Sequence, residues 1–292
     1  MTRLAVKVDV DTLRGYLQGV PRMLELFAKH NVKASIYFSF GPDNSGKAIR
    51  RIFRKGFISK MLRTKAPSTY GIKTLLYGTL LPAPLIVPAN PEIVQRAKEQ
   101  GHEVGIHAWD HVYVQDCLNK ISKDKYRALY DKASLMYEKL CGEKATSIAA
   151  PGWQLSHAVL ETEQELGLAF ASDVRGYAPF MPVFEGVEYN VPQIPSTLAT
   201  MDEIYGLPGV NDDTIPEIWY KDMNKDWNVV TVHAEMEGIS KAGVLDRFLA
   251  LCREKDVEFM TLGEYAAKAP LPRCEVVMGN LIGRAGKLAV QK

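Results

Sequence analysis

The chain has 292 residues, of which 47% are apolar and 24% are charged. This length and balance are typical of a folded domain with a sizeable core, and they exclude disorder as the default interpretation. A net charge of +2 is too small to indicate a nucleic-acid partner. The cysteines are scattered without a paired spacing, so they predict neither a disulfide framework nor a cysteine zinc site.

The N-terminal sequence MTRLAVKVDVD reaches acidic residues before an apolar core of signal-peptide length can form. No run of about 18 uncharged apolar residues offers a membrane span. We therefore expect a protein that is soluble or peripherally bound to a membrane.

Apolar periodicity predicts strands that alternate with helices along most of the chain. The predicted strands are 4–10, 33–40, 102–107, 146–150, 169–172, 229–233 and 257–260, and the predicted helices are 20–31, 91–100, 122–140, 156–166 and 244–255. This series favours an α/β fold, a distorted (β/α) barrel of about seven parallel strands, with a doubly wound open sheet as the alternative. We expect the barrel to span 1–268, with a basic apolar insertion at 44–90 and a C-terminal tail at 269–292.

The side chains that could carry chemistry stand at the ends of these predicted strands. They are Asp9 and Asp11 after the first strand, His107 and His111 after HEVGI, Asp173 after AFAS, and His233 at the end of VVTVH. Because parallel strands deliver their carboxyl ends to one face, we expect all six side chains to share one rim.

The HAWDH motif places His107 and His111 four residues apart, a spacing that on a helical turn sets two imidazoles side by side. Asp11 would supply a third ligand and leave a position open for water, as in catalytic metal sites. Asp9 and Asp11 share one face of a strand, where two close carboxylates repel unless a cation or a base role explains them. The alternatives are surface or capping histidines and a pair of turn or N-cap carboxylates.

VDVDT, GHEVGIHAWDH and VHAE resemble the first, second and last motifs of the polysaccharide-deacetylase (NodB-homology) family. VPQIPSTLATMDE and GNLIGRAG extend the resemblance, within that family, to members that deformylate a sugar carried on undecaprenyl phosphate. The resemblance implies a NodB-type barrel and one divalent metal ion, zinc, manganese or cobalt, held by Asp11, His107 and His111. It also implies that Asp9 is the general base and His233 the general acid.

The third motif departs from the family pattern, because SIAAPGW has alanines where an arginine usually pairs with the catalytic aspartate. Arg175, in SDVRG, is our candidate to approach Asp9 or the substrate phosphate, and a solvent-exposed loop arginine is the alternative. Asp173 is implied to orient His233. Trp153 is expected to form an apolar wall of the sugar site or else to be a buried core residue.

The resemblance implies a deformylase that frees the 4-amino group of an undecaprenyl-phosphate-linked formamido-arabinose for lipid A modification and polymyxin resistance. Its implied location is the cytoplasmic face of the bacterial inner membrane. One alternative is a deacetylase of another N-acetylated sugar or of a peptidoglycan-type glycan. A second alternative is a non-catalytic scaffold associated with the membrane.

The segment between Asp43 and Glu92 contains nine lysines and arginines and no acidic residue. Its sequence KAIRRIFRKGFISKML predicts an amphipathic helix, which would contact an anionic membrane surface. The expected contact residues are Arg50, Arg51, Arg54 and Lys55 on the basic side and Phe53 and Phe57 on the apolar side. An ordinary helix with a solvated charged face is the alternative, and no nucleic-acid-binding motif accompanies the charge.

Overall fold

The computed structural model describes residues 2–48, 71–224, 226–284 and 286–292. Its strands are β1 (Arg3–Val10), β2 (Ser35–Ser39), β3 (Glu103–Ala108), β4 (Ser147–Ile148), β5 (Phe170–Ala171), β6 (Met181–Phe184), β7 (Val187–Glu188), β8 (Trp227–His233), β9 (Glu258–Met260), β10 (Arg273–Gly279) and β11 (Leu288–Gln291). Its α-helices are α1 (Val20–Lys29), α2 (Ile72–Leu76), α3 (Pro91–Glu99), α4 (His111–Cys117), α5 (Lys123–Cys141), α6 (His157–Leu166), α7 (Met201–Ile204), α8 (Ile215–Asp222), α9 (Ala242–Glu254) and α10 (Leu262–Lys268).

Seven of these strands form one parallel sheet in the order β5-β4-β3-β2-β1-β8, with β9 also paired to β1. These are the seven strands that the sequence predicts, so the distorted parallel barrel is confirmed. Among the described strands, β5 and β8 are the two ends of this order and do not pair with each other, so the barrel is incomplete. Strand β1 is central, because it pairs with β2, β8 and β9.

The two faces of β1 have different surroundings, since successive side chains of a strand point to opposite sides. Four aliphatic side chains pack into the largest core cluster, beneath the helices: Leu4, Val6, Val8 and Val10. The other face carries Ala5, Lys7 and Asp9, and all three are buried. Strand β1 therefore presents two charged side chains to the inside of the incomplete barrel.

A second sheet, in the order β11-β10-β6-β7, was not predicted. Strand β10 runs parallel to β6, and β11 runs antiparallel to β10. Phe180, Phe184, Val276 and Ala289 share a buried cluster that packs this sheet against the barrel. Strands β10 and β11 thus lie within the segment that we expected to be a C-terminal tail. The boundary between barrel and tail at residue 268 stays a prediction.

The six expected membrane contacts, Arg50, Arg51, Phe53, Arg54, Lys55 and Phe57, lie outside the described residues. The described remainder of the insertion contains α2 and a short 3₁₀ turn at Val87–Ala89. Within the described ranges, no helix has the length and apolar character needed to cross a membrane.

Two π-helical turns, Gly15–Gly19 and Met236–Ser240, pack against each other beside the ends of β1 and β8. Their contact requires glycine on both sides. A Cβ atom at Gly19 would lie 1.9 Å from the carbonyl oxygen of Ala234, and a Cβ atom at Gly238 would lie 2.6 Å from the Cα of Gly19. Close backbone packing therefore fixes the loop that follows His233.

We expect Gly19→Ala to lower the free energy of unfolding by about 1–3 kcal/mol, because the added methyl group overpacks this contact. Gly243→Ala is the matched control, since its Cβ atom would meet only the flexible end of Arg247, at 3.8 Å. The control should be neutral or stabilising by up to about 1 kcal/mol. Chemical denaturation measures both changes, and equal stabilities for the two variants would contradict this packing account.

Candidate metal and catalytic site

Asp11, His107 and His111 come together at the carboxyl ends of β1 and β3, with ligand atoms that all lie within 4.8 Å of one another. The Nε2 atom of His107 is 3.1 Å from Oδ1 of Asp11, and Nε2 of His111 is 3.3 Å from Oδ2 of Asp11. One carboxylate and two imidazoles form a donor set suited to a divalent transition metal. The three residues therefore fit the metal site that the sequence predicts.

The two histidines are adjacent for a different reason from the one we expected. His107 lies in strand β3, whereas His111 is the first residue of helix α4, so the pair is not carried on one helical turn. The Asp110 carboxylate caps α4 by accepting the backbone N–H of Tyr113 at 3.0 Å. This cap fixes the turn that folds His111 back onto His107, with ring centroids 5.1 Å apart.

A hydrogen bond sets the tautomer of His107. Its Nδ1 atom lies 2.7 Å from the carbonyl oxygen of Ala149, which can only accept a hydrogen bond, so Nδ1 carries the proton and Nε2 faces Asp11. The N–H of Ala150, which belongs to the same peptide group, donates a hydrogen bond to Oδ1 of Asp173 at 2.5 Å. Asp173 thus supports a candidate metal ligand through one peptide group.

The charges of the cluster shift one another's pKa values. Burial would raise the pKa of Asp11, but His111 and His107 hold that pKa well below its usual range. Burial would lower the pKa of His107, yet Asp9 and Asp11 raise it. The shift of His107 reflects the negative charge of Asp9 and Asp11 near its ring, and such a surrounding favours a bound cation.

Asp9 is 4% exposed and does not belong to the three-residue cluster. Its Oδ2 atom lies 3.4 Å from Nζ of Lys7, while its Oδ1 atom has no hydrogen-bond partner among the described residues. His233 is the register partner of Asp9 on β8, so both side chains leave the sheet on the same face. The structure therefore places Asp9 and His233 at the same rim as the cluster.

Two buried glutamates follow His233, and the sequence interpretation missed both. The Glu237 carboxylate accepts the backbone N–H of His233 at 2.8 Å, and burial raises the pKa of Glu237 to about 7 despite the opposing charge of His233. Burial, together with the charge of Asp11, raises the pKa of Glu235 well above its usual value. The sequence VHAEMEG could have indicated both glutamates, because it has two acidic residues shortly after a predicted strand.

Asp173 lies elsewhere than the family resemblance implies. Its carboxylate accepts hydrogen bonds from the N–H of Ala150 and from Nε2 of Gln193, and no described hydrogen bond joins it to His233. The expected orientation of His233 by Asp173 therefore has no contact to support it. Asp173 is instead linked to His107 through the Ala149–Ala150 peptide group, which both side chains contact.

No described hydrogen bond or ion pair joins Arg175 to Asp9, and Arg175 is not an exposed loop residue. It is 6% exposed and donates from Nη1 to both carboxylate oxygens of Glu203, at 2.6 and 2.8 Å. Its Nε and Nη2 atoms donate to the carbonyl oxygens of Ser196 and Leu198. The guanidinium is thus used in an internal ion pair and in two hydrogen bonds to the backbone.

Trp153 is buried, with its indole N–H donated to Oγ of Ser196 at 3.0 Å. Arg175 and Arg284 lie over its ring, each less than 5 Å from the centroid. Trp153 is thus a buried ring against which cationic side chains pack.

The chain belongs to the polysaccharide deacetylase family, because the family model described as "Polysaccharide deacetylase" matches residues 14–171. The matched region includes both histidines of the cluster and begins after Asp11. The expectation of an enzyme that hydrolyses amide bonds is confirmed at the level of this family.

Two relatives extend over nearly the whole chain, and both are named "Probable 4-deoxy-4-formamido-L-arabinose-phosphoundecaprenol deformylase". The protein from Shewanella sediminis is 36% identical over 100% of this chain and 95% of its own length. The protein from Wigglesworthia glossinidia brevipalpis is 28% identical over 94% of this chain and 97% of its own length. The crystal structure of a Mycobacterium smegmatis protein assigned as a polysaccharide deacetylase shares the fold, with a TM-score of 0.66, 18% identity and 96% coverage of both chains.

We expect Asp173→Asn to weaken the binding of Co²⁺ by about 10-fold or more, because it removes the charge that supports the Ala149–Ala150 peptide behind His107. Titration calorimetry on metal-free protein measures the affinity. Asp246→Asn is the control, since Asp246 pairs with Lys29 at the surface. A Co²⁺ affinity within about twofold of the parent protein would contradict the proposed support of His107.

Proposed function

We propose that the chain is a metal-dependent deformylase acting on 4-deoxy-4-formamido-L-arabinose linked to undecaprenyl phosphate. The reaction adds water across the formamide C–N bond and yields formate and the free 4-amino sugar. The observation that carries the proposal is the meeting of Asp11, His107 and His111 with Asp9 and His233 at one rim. The names of the two relatives that match nearly the whole chain support the choice of substrate.

Asp11, His107 and His111 would hold one divalent cation, zinc, manganese or cobalt. When bound, such an ion lowers the pKa of water toward about 7 and polarises a carbonyl oxygen. Asp9 stands apart from these ligands, which leaves its carboxylate available as a base.

Asp9 is suited to accept a proton from the attacking water. Lys7 contacts its Oδ2 atom, and its buried Oδ1 atom has no described hydrogen-bond partner. An acceptor atom held without a protein donor is available to a substrate or a water molecule. Oδ1 of Asp9 would therefore take the proton as the C–O bond forms.

His233 is suited to donate a proton to the nitrogen of the leaving amine. It lies beside Asp9 in register on β8, and Glu237 holds its backbone N–H. Protonation of this nitrogen allows the C–N bond to break and release a neutral amine. The amine then takes up a proton in water. Its positive charge, once on lipid A, would weaken the attraction between lipid A and polymyxin.

A peripheral position at the cytoplasmic face of the inner membrane would bring this site to its lipid-linked substrate. The basic segment containing Arg50, Arg51 and Arg54 supports this position by its sequence. Just beyond it, Leu80 is 81% exposed, and Leu81 and Leu85 are also exposed. Basic and apolar side chains in one segment are typical of interfacial binding.

Mass spectrometry of the lipid-linked formamido sugar tests the reaction. We expect loss of one formyl group with metal-loaded protein and no loss after chelation. Asp9→Asn and His233→Ala should each slow the reaction by about 10²–10⁴-fold, because each removes a proton-transfer group. His157→Ala, a change in a surface ion pair with Glu185, is the control.

Three outcomes would contradict this function. Asp9→Asn and His233→Ala variants as active as the parent would remove the catalytic assignment, and inactivity of the metal-loaded parent would favour the scaffold alternative. Faster hydrolysis of an N-acetylated sugar than of the formamide would favour the deacetylase alternative.

Replacing Arg50, Arg51 and Arg54 with glutamate should weaken sedimentation with vesicles that contain phosphatidylglycerol by at least about 10-fold, since each basic residue near the surface contributes about 1 kcal/mol. The matched control replaces three exposed lysines of α5 with glutamate: Lys125, Lys132 and Lys139. Equal binding by the two triple variants would remove the insertion from the membrane proposal.

A further inference from the structure

Lys7 is a fully buried lysine in the middle of the central strand β1, with 0% of its surface exposed. Its neighbours along the strand, Val6 and Val8, face the opposite side and pack in the hydrophobic core. A buried ammonium group is unfavourable unless it is paired and hydrogen-bonded. The contacts of Lys7 therefore indicate why a lysine stands in this strand.

Three kinds of contact surround the ammonium group of Lys7. Its Nζ atom is 3.4 Å from Oδ2 of Asp9 and donates to the carbonyl oxygen of Ser172 at 3.2 Å. The rings of Tyr37 and Trp153 lie with centroids 5.8 and 5.6 Å away, within the range of cation–π attraction. These partners come from different strands and loops, so the ammonium has one defined position beside Asp9.

This position leaves the two oxygens of the Asp9 carboxylate unequal. Lys7 contacts Oδ2, whereas Oδ1 has no hydrogen-bond partner among the described residues. Ala149 and Ala150 occupy the third motif, and Arg175 pairs with Glu203. Of the cations in the part of the chain that the structure describes, Lys7 is the one that forms an ion pair with Asp9.

We propose that Lys7 is a positioning residue for Asp9: it balances the charge of the carboxylate, fixes its rotation and leaves Oδ1 to face the reacting water. This inference rests on the proposed function, in which Asp9 is the base. Lys7 itself is too deeply buried to touch the substrate. Its effect should therefore reach catalysis only through Asp9.

A double-mutant cycle on the full chain tests this coupling. It compares the parent with Lys7→Met, Asp9→Asn and the combined variant, and Lys98→Met serves as the control because Lys98 pairs with Glu143 away from the rim. The measurements are kcat and KM on the lipid-linked formamido sugar, Co²⁺ affinity by calorimetry, and the midpoint of thermal unfolding. If Lys7→Met does not fold, Lys7→Gln replaces it, since glutamine keeps an N–H donor.

We expect Lys7→Met to lower kcat by about 10²-fold, the scale of a displaced general base. KM and Co²⁺ affinity should stay within about threefold of the parent, because substrate and metal contacts remain. In the Asp9→Asn background the same change should have almost no further effect on kcat. The combined variant should also unfold at a higher temperature than Lys7→Met alone, which leaves a buried carboxylate unpaired.

A kcat of Lys7→Met within about threefold of the parent would overturn the inference, as would an equal loss of kcat in the Asp9→Asn background. The unfolding measurements need no substrate, so they remain informative if the parent releases no formate and the proposed function fails. In that case, additive shifts of the unfolding midpoint would overturn the coupling of Lys7 to Asp9.

Discussion

The constraint on which the site depends is the concentration of carboxylates at the buried carboxyl end of β1. Asp9 and Asp11 stand two residues apart, and Glu235 lies close enough to Asp11 for their charges to interact. Carboxylates removed from water repel one another and need positive partners. Lys7 supplies one positive charge on the inner side, and the space bounded by Asp11, His107 and His111 is suited to a second.

The surrounding structure supports this arrangement with further buried groups. Asp173 accepts a hydrogen bond from the peptide that His107 also contacts, and Gln193 connects Asp173 to Glu163. Burial, together with the charge of Asp173, raises the pKa of Glu163 well above its usual value. A chain of buried carboxyl and amide groups thus extends from Glu163 to the peptide behind His107, and the carbonyl oxygen of that peptide fixes the tautomer of the imidazole.

The sequence predicted the parallel strands because apolar segments alternate with helical ones, and it predicted the rim because Asp11, His107 and His233 stand at the ends of such segments. It also brought together Asp11, His107 and His111, since the carboxyl ends of parallel strands lie at one edge of the sheet, even though β2 stands between β1 and β3. It did not predict the second sheet, because β6 and β7 are short and partly exposed, and β6 pairs with β10 about 90 positions further along the chain. The sequence also did not predict the ion-pair partners of Lys7 and Arg175, because these pairs depend on distances between side chains in the folded chain rather than on a local pattern.

X-ray absorption spectroscopy of the cobalt-loaded protein tests the central claim most directly. The account predicts two imidazole ligands and oxygen ligands, with metal–nitrogen distances of about 2.0–2.1 Å as for zinc, and loss of one imidazole in a His111→Ala variant. A sulfur ligand at about 2.3 Å, or a spectrum unchanged by His111→Ala, would contradict it.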